Sequence, residues 1–314
     1  MPDAELVEPV RLDGRVAIVT GAGAGLGRAH ALALAAAGAR VVVNDLGGAA
    51  DGTGSSESAA DAVVKEILAH GGEAIADHHS VAERVGAAAL VAAAVDEWGR
   101  VDAVVNNAGV LRDRTIANLT ADDIEIVLRV HLYGSIQVSQ AAYGHMKAAG
   151  YGRLVHTTSG AGLFGVFGQL NYATAKAGIV GMSKSIAVEG AKYGILSNCI
   201  APLARTRLSG DIFGPLNDLL VPEAVSPLVV YLASPQARAT GEVFSAGGGR
   251  FARAFTAMTP GWIASSDQVV TPDDVQANLD AIVDPVGHFV PQSSTDEVLR
   301  LFEYLGLDVG QLSP

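Results

Sequence analysis

The sequence predicts an α/β fold: a doubly wound parallel sheet of seven strands followed by a C-terminal extension. Three observations predict it. Short β-branched runs alternate with longer alanine-rich amphipathic stretches, the first run ends in a glycine-rich turn, and the alternation stops after Ala246. Such alternation is the pattern of βαβ units, whose right-handed crossovers assemble one parallel sheet.

Strand one is expected at 15–20, where Val16-Ala17-Ile18-Val19 leads into the glycines, and the alanine-rich segment 25–38 behind them reads as the first helix. Strand two, 40–44, is a valine run, and a helix near 55–70 follows it. Strand three is 73–77 with a helix near 83–98, strand four is 101–106 with a long helix near 121–149, and strand five is 152–158. A helix at 171–193, strand six at 195–200, a helix at 222–233 and strand seven at 242–245 complete the sheet domain, assigned to residues 1–246. Beyond Gly247-Gly248-Gly249-Arg250 lie two further helical stretches, near 272–283, where Pro272-Asp273-Asp274 is a good start, and near 294–305. Residues 247–314 are expected to be an extension packed on the sheet domain, being short for an independent core.

The 314 residues include 37 Gly and one Cys, with 21 Lys+Arg against 33 Asp+Glu for a formal charge of −12. Glycine is abundant without a triplet period, which excludes collagen. A lone Cys199 cannot form an internal disulfide or a cysteine-based zinc site and reads as a small buried hydrophobe in a reducing compartment. The acidic balance, with no basic block, argues against nucleic acid and anionic membrane as partners. Mean hydropathy is +0.31, and from Val16 to Val43 the only strongly polar side chains are Thr20, Arg28, His30 and Arg40. Four glycines and a mid-segment arginine nevertheless favour strand, turn and helix over a membrane span. The acidic N-terminus lacks the basic start of a signal peptide, and the chain ends Gln311-Leu312-Ser313-Pro314, so the expected location is cytoplasmic.

The turn after strand one, Thr20-Gly21-Ala22-Gly23-Ala24-Gly25-Leu26-Gly27, opens a helix. A pyrophosphate needs backbone N–H groups at close range and the positive end of a helix, and residues without a Cβ let the main chain come near. Gly21, Gly25, Leu26 and Gly27 are therefore candidate cofactor contacts in a Rossmann-type crevice, the alternative being glycines that serve packing alone. Asp45 lies 18 residues after Gly27, at the end of strand two, where a carboxylate can accept from ribose hydroxyls and repel a 2′-phosphate. That favours NAD over NADP; the alternative is that Asp45 caps a turn with Gly47-Gly48. At the ends of strands three and four, Asp77 and Val81 are expected to flank the adenine, and Asn107, Ala108 and Gly109 to run along the cofactor. His78-His79 beside Asp77 suggests a metal, but no further ligand is spaced to match, so no metal is expected.

Tyr172 and Lys176 stand four residues apart, on one face of a helix, and Ser159 precedes the tyrosine by thirteen. Moving a hydride at an alcohol carbon requires a proton transfer at its oxygen, and free tyrosine, with a pKa of about 10, is a poor base. The Lys176 cation would stabilise the phenolate, and Ser159 can hydrogen-bond the same oxygen. In isolation an exposed Tyr–Lys pair would mean nothing more than a solvated helix face.

At this point the chain resembles the short-chain dehydrogenase/reductase family. The glycine turn, Asp77, Asn106-Asn107-Ala108-Gly109, Ser159 and Tyr172-x-x-x-Lys176 match in order and spacing over roughly residues 12 to 250. The resemblance implies an NAD-dependent enzyme with Tyr172 as acid/base, Lys176 tuning it and holding the nicotinamide ribose, and Ser159 orienting substrate. Where most members carry Asn, this chain has His131; imidazole both donates and accepts and can replace it in a proton relay, or His131 is a core histidine bonded to backbone. Within the family the chain resembles the (3R)-hydroxyacyl-CoA dehydrogenase part of peroxisomal multifunctional enzyme type 2, through Val43-Asn44-Asp45-Leu46-Gly47-Gly48, Leu111-Arg112-Asp113-Arg114 and Phe167-Gly168-Gln169-Leu170-Asn171-Tyr172.

That branch implies oxidation of a 3-hydroxyacyl-CoA to the 3-oxoacyl-CoA, in a cleft under residues 202–220, with Thr206 contacting the carboxamide. Arg112, Arg114, Arg205 and Arg207 are candidate contacts for CoA phosphates, or simply solvated. The alternatives are a hydroxysteroid or other bulky secondary-alcohol dehydrogenase and a non-catalytic dinucleotide-binding scaffold. Family resemblance also implies a homodimer or homotetramer built on the helices 121–149 and 171–193.

Overall fold

The computed structural model describes residues 8–305 except 50, 55, 57, 206–213, 217, 266 and 267. The chain divides into two compact units, Met1–Arg253 and Ala254–Pro314.

The first unit is built around one sheet. Its strands are β1 (Val16–Thr20), β2 (Arg40–Asn44), β3 (Glu73–Asp77), β4 (Ala103–Asn106), β5 (Gly152–Thr157), β6 (Ile195–Pro202), β7 (Val243–Gly247) and β8 (Arg250–Ala254), in spatial order 3-2-1-4-5-6-7-8. The pairings from β3 through β7 are parallel. The order reverses between β1 and β4, so a crevice opens beyond their carboxyl ends. The eighth strand corrects the expected seven. Gly248 and Gly249 take φ of 57° and 79°, the conformation of a two-residue hairpin turn, and such a connection joins antiparallel strands. Arg250-Phe251-Ala252-Arg253-Ala254 has no buried residue, so no inward-facing apolar row betrays it as a strand.

The helices are α1 (Gly25–Ala36), α2 (Ser58–Ala69), α3 (Arg84–Trp98), α4 (Ala121–Leu128), α5 (Gly134–Ala149), α6 (Gly160–Phe164), α7 (Leu170–Gly190) and α8 (Ser226–Ala233). Alternate residues of each strand point to opposite faces. Ala17, Val19, Val41 and Val43 thus pack with Leu34 of α1, Ile67 of α2 and Leu232 of α8, while Val16, Ile18 and Val42 pack with Leu90 of α3 and Val138 and Met146 of α5. Each fully buried Val, Leu or Ile contributes roughly 1.5–3 kcal/mol.

The long helix expected over 121–149 is interrupted. Residues Arg129–Tyr133 form a π-helical turn between α4 and α5, which inserts one extra residue and re-aims the side chains it carries, His131 among them. A capping box of Thr120 and Asp123 starts α4, the Thr120 hydroxyl accepting from the Asp123 amide at 3.1 Å. Deeper in the sheet, Asn106 Nδ2 donates to Ser139 Oγ and to His156 Nδ1, both at 3.0 Å, and His156 Nε2 meets Ser197 Oγ at 3.2 Å. Burial pushes the His156 pKa down to about 3, so this ring is neutral and serves as a fixed strut between β4, β5 and β6.

The second unit contains α9 (Pro272–Ala277), α10 (Leu279–Val283) and α11 (Ser294–Tyr304). Asn278, at φ −108° and ψ 14°, breaks the helix expected over 272–283 into two. Capping boxes of Thr271 with Asp274 and Ser293 with Asp296 start α9 and α11. None of the described residues from 254 onward is buried. Among the described residues no helix is long and apolar enough to cross a membrane.

Candidate active site

A cleft lies beyond the carboxyl ends of β1, β2 and β4, at the reversal of strand order. The Thr20 hydroxyl stitches its base. It accepts from the backbone N–H groups of Asn107 and Ala108, both at 3.0 Å, and donates to the Val105 carbonyl at 3.4 Å. The Asn107 side chain returns the tie, donating from Nδ2 to the carbonyls of Thr20 and Gly21 at 3.1 Å.

The glycine turn follows the same logic. Gly21 sits at φ 63°, and a Cβ there would lie 2.7 Å from Ala108 Cα; one on Gly27 would lie 2.1 Å from the Gly21 carbonyl oxygen. Gly21, Gly25 and Leu26 line the cleft, whereas Gly27 is buried behind it and lets α1 close on the turn. The Ala24 N-cap offers no side-chain hydrogen bond and the first turn of α1 carries no acidic residue. Its first N–H groups and the positive end of the helix dipole are therefore left for an anion. The chain's own residues fit a dinucleotide's pyrophosphate here.

Asp45 lines the same cleft, its Oδ2 accepting from the Gly23 amide at 2.7 Å and its Oδ1 from the Gly47 amide at 2.6 Å. Both sequence readings of this residue thus have a counterpart: it fixes the turn after β2, and it presents a carboxylate on the wall. The connection that follows, between β2 and α2, swings across the cleft. Gly48, Ala49 and Gly52 line it, a Cβ on Gly52 would lie 3.2 Å from Val110 Cγ1, and Arg112 Nε donates to the Asp51 carbonyl at 2.7 Å.

Val81, Asn107, Ala108 and Gly109 line the cleft, whereas Asp77 does not. Its carboxylate is buried and engaged by Asn44 Nδ2 at 2.6 Å and by His79 Nδ1 at 2.8 Å, and His79 occupies the wall instead. Thr206 and Arg207 fall outside the described residues. Arg112 and Arg114 lie 3.9 and 2.9 Å from the buried Asp123 carboxylate, so both guanidiniums already have an anionic partner within the chain.

Ser159 caps α6, its Oγ accepting from the Ala161 amide at 3.1 Å. Tyr172 and Lys176 come from α7. Burial raises the Tyr172 pKa, the hydrogen-bonding Ser159 hydroxyl opposes that rise, and the Asp113 carboxylate adds to it. Lys176 is 3% exposed, donates from Nζ to the Thr157 carbonyl at 2.6 Å, and lies 5.5 Å from the centroid of the Tyr172 ring. Burial pushes its pKa down to about 7. The tyrosine is itself held from behind: Asn171, 1% exposed, accepts from the Tyr172 amide at 2.8 Å and donates to the carbonyls of Arg112 and Asp123 at 3.0 and 2.9 Å.

The π turn delivers His131 against this group. Its ring meets the Tyr172 ring edge-on at 5.2 Å, and its Nε2 faces both the amide and the carbonyl of Val110, at 3.0 and 2.8 Å. Nδ1 is buried with no hydrogen-bond partner. Burial, followed by the Lys176 cation, holds the His131 pKa well below its ordinary value, so the ring is neutral. Gly109 must be glycine beside it, since a Cβ would lie 2.2 Å from His131 Cε1.

Sequence reasoning weighed His79 only as a metal ligand, gave Asn171 no role of its own, and missed the return of the β2–α2 connection onto Arg112. Asn171 carried a signal, an amide at the start of the tyrosine helix; the other two depend on where a loop lands.

Comparison with known proteins shows the family. The family model of the short chain dehydrogenases matches residues 15–209. A short-chain type dehydrogenase/reductase of Mycobacterium tuberculosis is 47% identical over 274 residues, covering 87% of this chain and 95% of that protein. A hydroxyacyl-CoA dehydrogenase of the same organism, ChsB1, is 43% identical over 253 residues, 74% of this chain and 77% of its own. The full-length peroxisomal multifunctional enzyme type 2 of Drosophila melanogaster superimposes with a TM-score of 0.81 at 35% identity over 95% of this chain, which spans 50% of that larger protein. The chain belongs to the short-chain dehydrogenase family and is an oxidoreductase.

Proposed function

We propose that the chain oxidises a 3-hydroxyacyl-CoA to the 3-oxoacyl-CoA, using NAD. The observation that carries this reading is the Ser159, Tyr172 and Lys176 group, joined through the His131 ring to Val110 on the wall of a cleft that fits a dinucleotide and presents the Asp45 carboxylate. Similarity to a hydroxyacyl-CoA dehydrogenase and to peroxisomal multifunctional enzyme type 2 supports the substrate class.

A nicotinamide held in this cleft would supply the acceptor for the hydride that leaves the substrate's C3 with the C–H bonding pair. The chain's residues handle the proton. Ser159 and Tyr172 hold the substrate hydroxyl, and its proton passes to the Tyr172 phenolate oxygen as the carbonyl forms. Lys176 is the positioned cation beside that phenolate, and Asn171 fixes the start of α7 so that the phenol keeps its place. His131 acts as a positioning residue, holding Val110 and the edge of Tyr172. The subunit works in a homodimer or homotetramer.

The test is NAD-linked turnover on 3-hydroxyacyl-CoA esters of graded chain length beside a panel of free hydroxysteroids. Turnover of the CoA esters, abolished by Tyr172→Phe at unchanged NAD affinity, is the expected result. Activity on steroids alone would overturn the substrate class, and full activity of Tyr172→Phe would overturn the catalytic assignment.

A further inference from the structure

Asp113 sits between two arginines in the chain and pairs with neither. Both guanidiniums turn to the buried Asp123 carboxylate instead, Arg112 Nη1 at 3.9 Å and Arg114 Nε at 2.9 Å. Among the described residues the exposed Asp113 carboxylate forms no ion pair; its partner is the neutral Gln169 amide, whose Nε2 donates to Oδ2 at 2.6 Å. A parallel bridge between Arg114 and Gln169 fixes the two segments side by side.

This unneutralised charge stands close to the reacting centre. Gln169 lies three residues before Tyr172, in the connection from α6, which Ser159 caps, to α7. Burial raises the Tyr172 pKa and the Asp113 carboxylate raises it further, so the field of this carboxylate reaches the phenol. Neither Asp113 nor Gln169 lines the dinucleotide cleft, which puts the charge on the substrate's side of the tyrosine. The rest of the connection is apolar and bare: Phe164 and Phe167 are 81% and 88% exposed, and Leu170 is 41% exposed. One unpaired carboxylate in an apolar rim suits a substrate that is uncharged around its hydroxyl and opposes an anionic one.

An acyl thioester and its free acid differ at that point. The thioester carbonyl at C1 is neutral, whereas the free 3-hydroxy acid carries a carboxylate two carbons from the reacting C3. We propose that Asp113 is a specificity-determining residue, which repels the carboxylate of free 3-hydroxy acids and admits the neutral carbonyl of the thioester. The assignment rests on the 3-hydroxyacyl-CoA reading above and adds a selectivity to it. For two like charges a few ångströms apart at a partly solvated site, the expected discrimination is about tenfold.

The experiment is inhibition of 3-hydroxybutyryl-CoA oxidation, with NAD, by 3-hydroxybutyrate and by its methyl ester, which lacks the charge at C1. At low ionic strength the wild type is expected to be inhibited about tenfold more strongly by the ester, and added salt should narrow the gap. Asp113→Asn, whose amide oxygen can still accept from Gln169, should shrink the ratio of the two inhibition constants about tenfold and remove its salt dependence. Because the readout is a ratio within each variant, a change in the tyrosine or in overall stability does not imitate it. Equal inhibition of the wild type by acid and ester, or by neither, overturns the Asp113 assignment alone, as does a ratio indifferent to salt or undiminished in Asp113→Asn. Failure of the wild type to oxidise the CoA ester overturns the substrate reading along with it.

Discussion

Lys176 should make the protein less stable than it would be without the ammonium, in a way that pH reveals. Its pKa falls from 10.5 in the unfolded chain to about 7 in the fold, because burial penalises the charged form. Between those values the unfolded chain holds a proton that the folded chain has released, so this group makes stability rise with pH across the window from about 7 to about 10.5. Below about 7 the folded state carries the whole penalty, about 5 kcal/mol at 1.36 kcal/mol per tenfold change in proton affinity. Lys176→Met removes the charge but deprives the Thr157 carbonyl of its 2.6 Å donor, a loss of about 1–3 kcal/mol. In the absence of dinucleotide the variant should therefore be about 2–4 kcal/mol more stable than wild type at pH 6. That advantage should shrink to nothing or reverse by pH 9.5, while turnover is lost throughout. Urea unfolding followed by the fluorescence of Trp98 and Trp262 at pH 6, 8 and 9.5 measures it, and taking the difference between the two proteins cancels the other titrating groups. A variant less stable than wild type at pH 6, or a difference that does not change with pH, would refute the reasoning.

Other substitutions examine the surrounding contacts. Gly109→Ala puts a Cβ into the His131 ring and should cost about 1–3 kcal/mol in stability and at least tenfold in kcat/KM. The double variant with His131→Ala should regain most of the stability, as thermal melts of the four proteins would show; a neutral Gly109→Ala would mean that the ring does not lock this loop. Arg112→Ala removes the donor to the Asp51 carbonyl and should weaken NADH binding about threefold to tenfold, because the connection it anchors lines the cleft. Unchanged affinity in a titration counts against that anchoring. Asp45→Ala should narrow the gap between NAD and NADP at least tenfold, read as the ratio of kcat/KM values, and a wild type that already prefers NADP would contradict the role given to this carboxylate.

Much of this was legible in the residues. Strands β1 to β7 stand within three residues of their expected bounds because a buried parallel strand is a dense β-branched run, and a central sheet has two faces to fill. Ser159, Tyr172 and Lys176, picked out by residue type and interval, are brought together by the fold. What escaped has a common cause: it turns on geometry that leaves no periodic trace. One added residue makes the π turn at His131 without disturbing the apolar pattern of 121–149, and β8 buries nothing, so it has no pattern to show. Electrostatics escaped for a related reason. The pair Tyr172 and Lys176 reads as a cation lowering a phenol, yet burial acts on both, raising the tyrosine and bringing the lysine itself close to neutrality.

The case of Asp77 shows where sequence-level placement of a site gives out. Asp77 and His79 share a face of the chain, two residues apart, and both suit a polar wall. Depth separates them. Asp77 is the last residue of β3 and stands opposite Asn44 in register, so its carboxylate is drawn into the sheet end and satisfied there, while His79 lies beyond the last strand pairing and reaches the cleft. A difference of two positions at a strand terminus therefore separates a side chain satisfied within the sheet end from one presented to the cleft. It moves the chemistry at the wall from a permanent acceptor to a ring whose donor or acceptor character is set by what binds its other nitrogen.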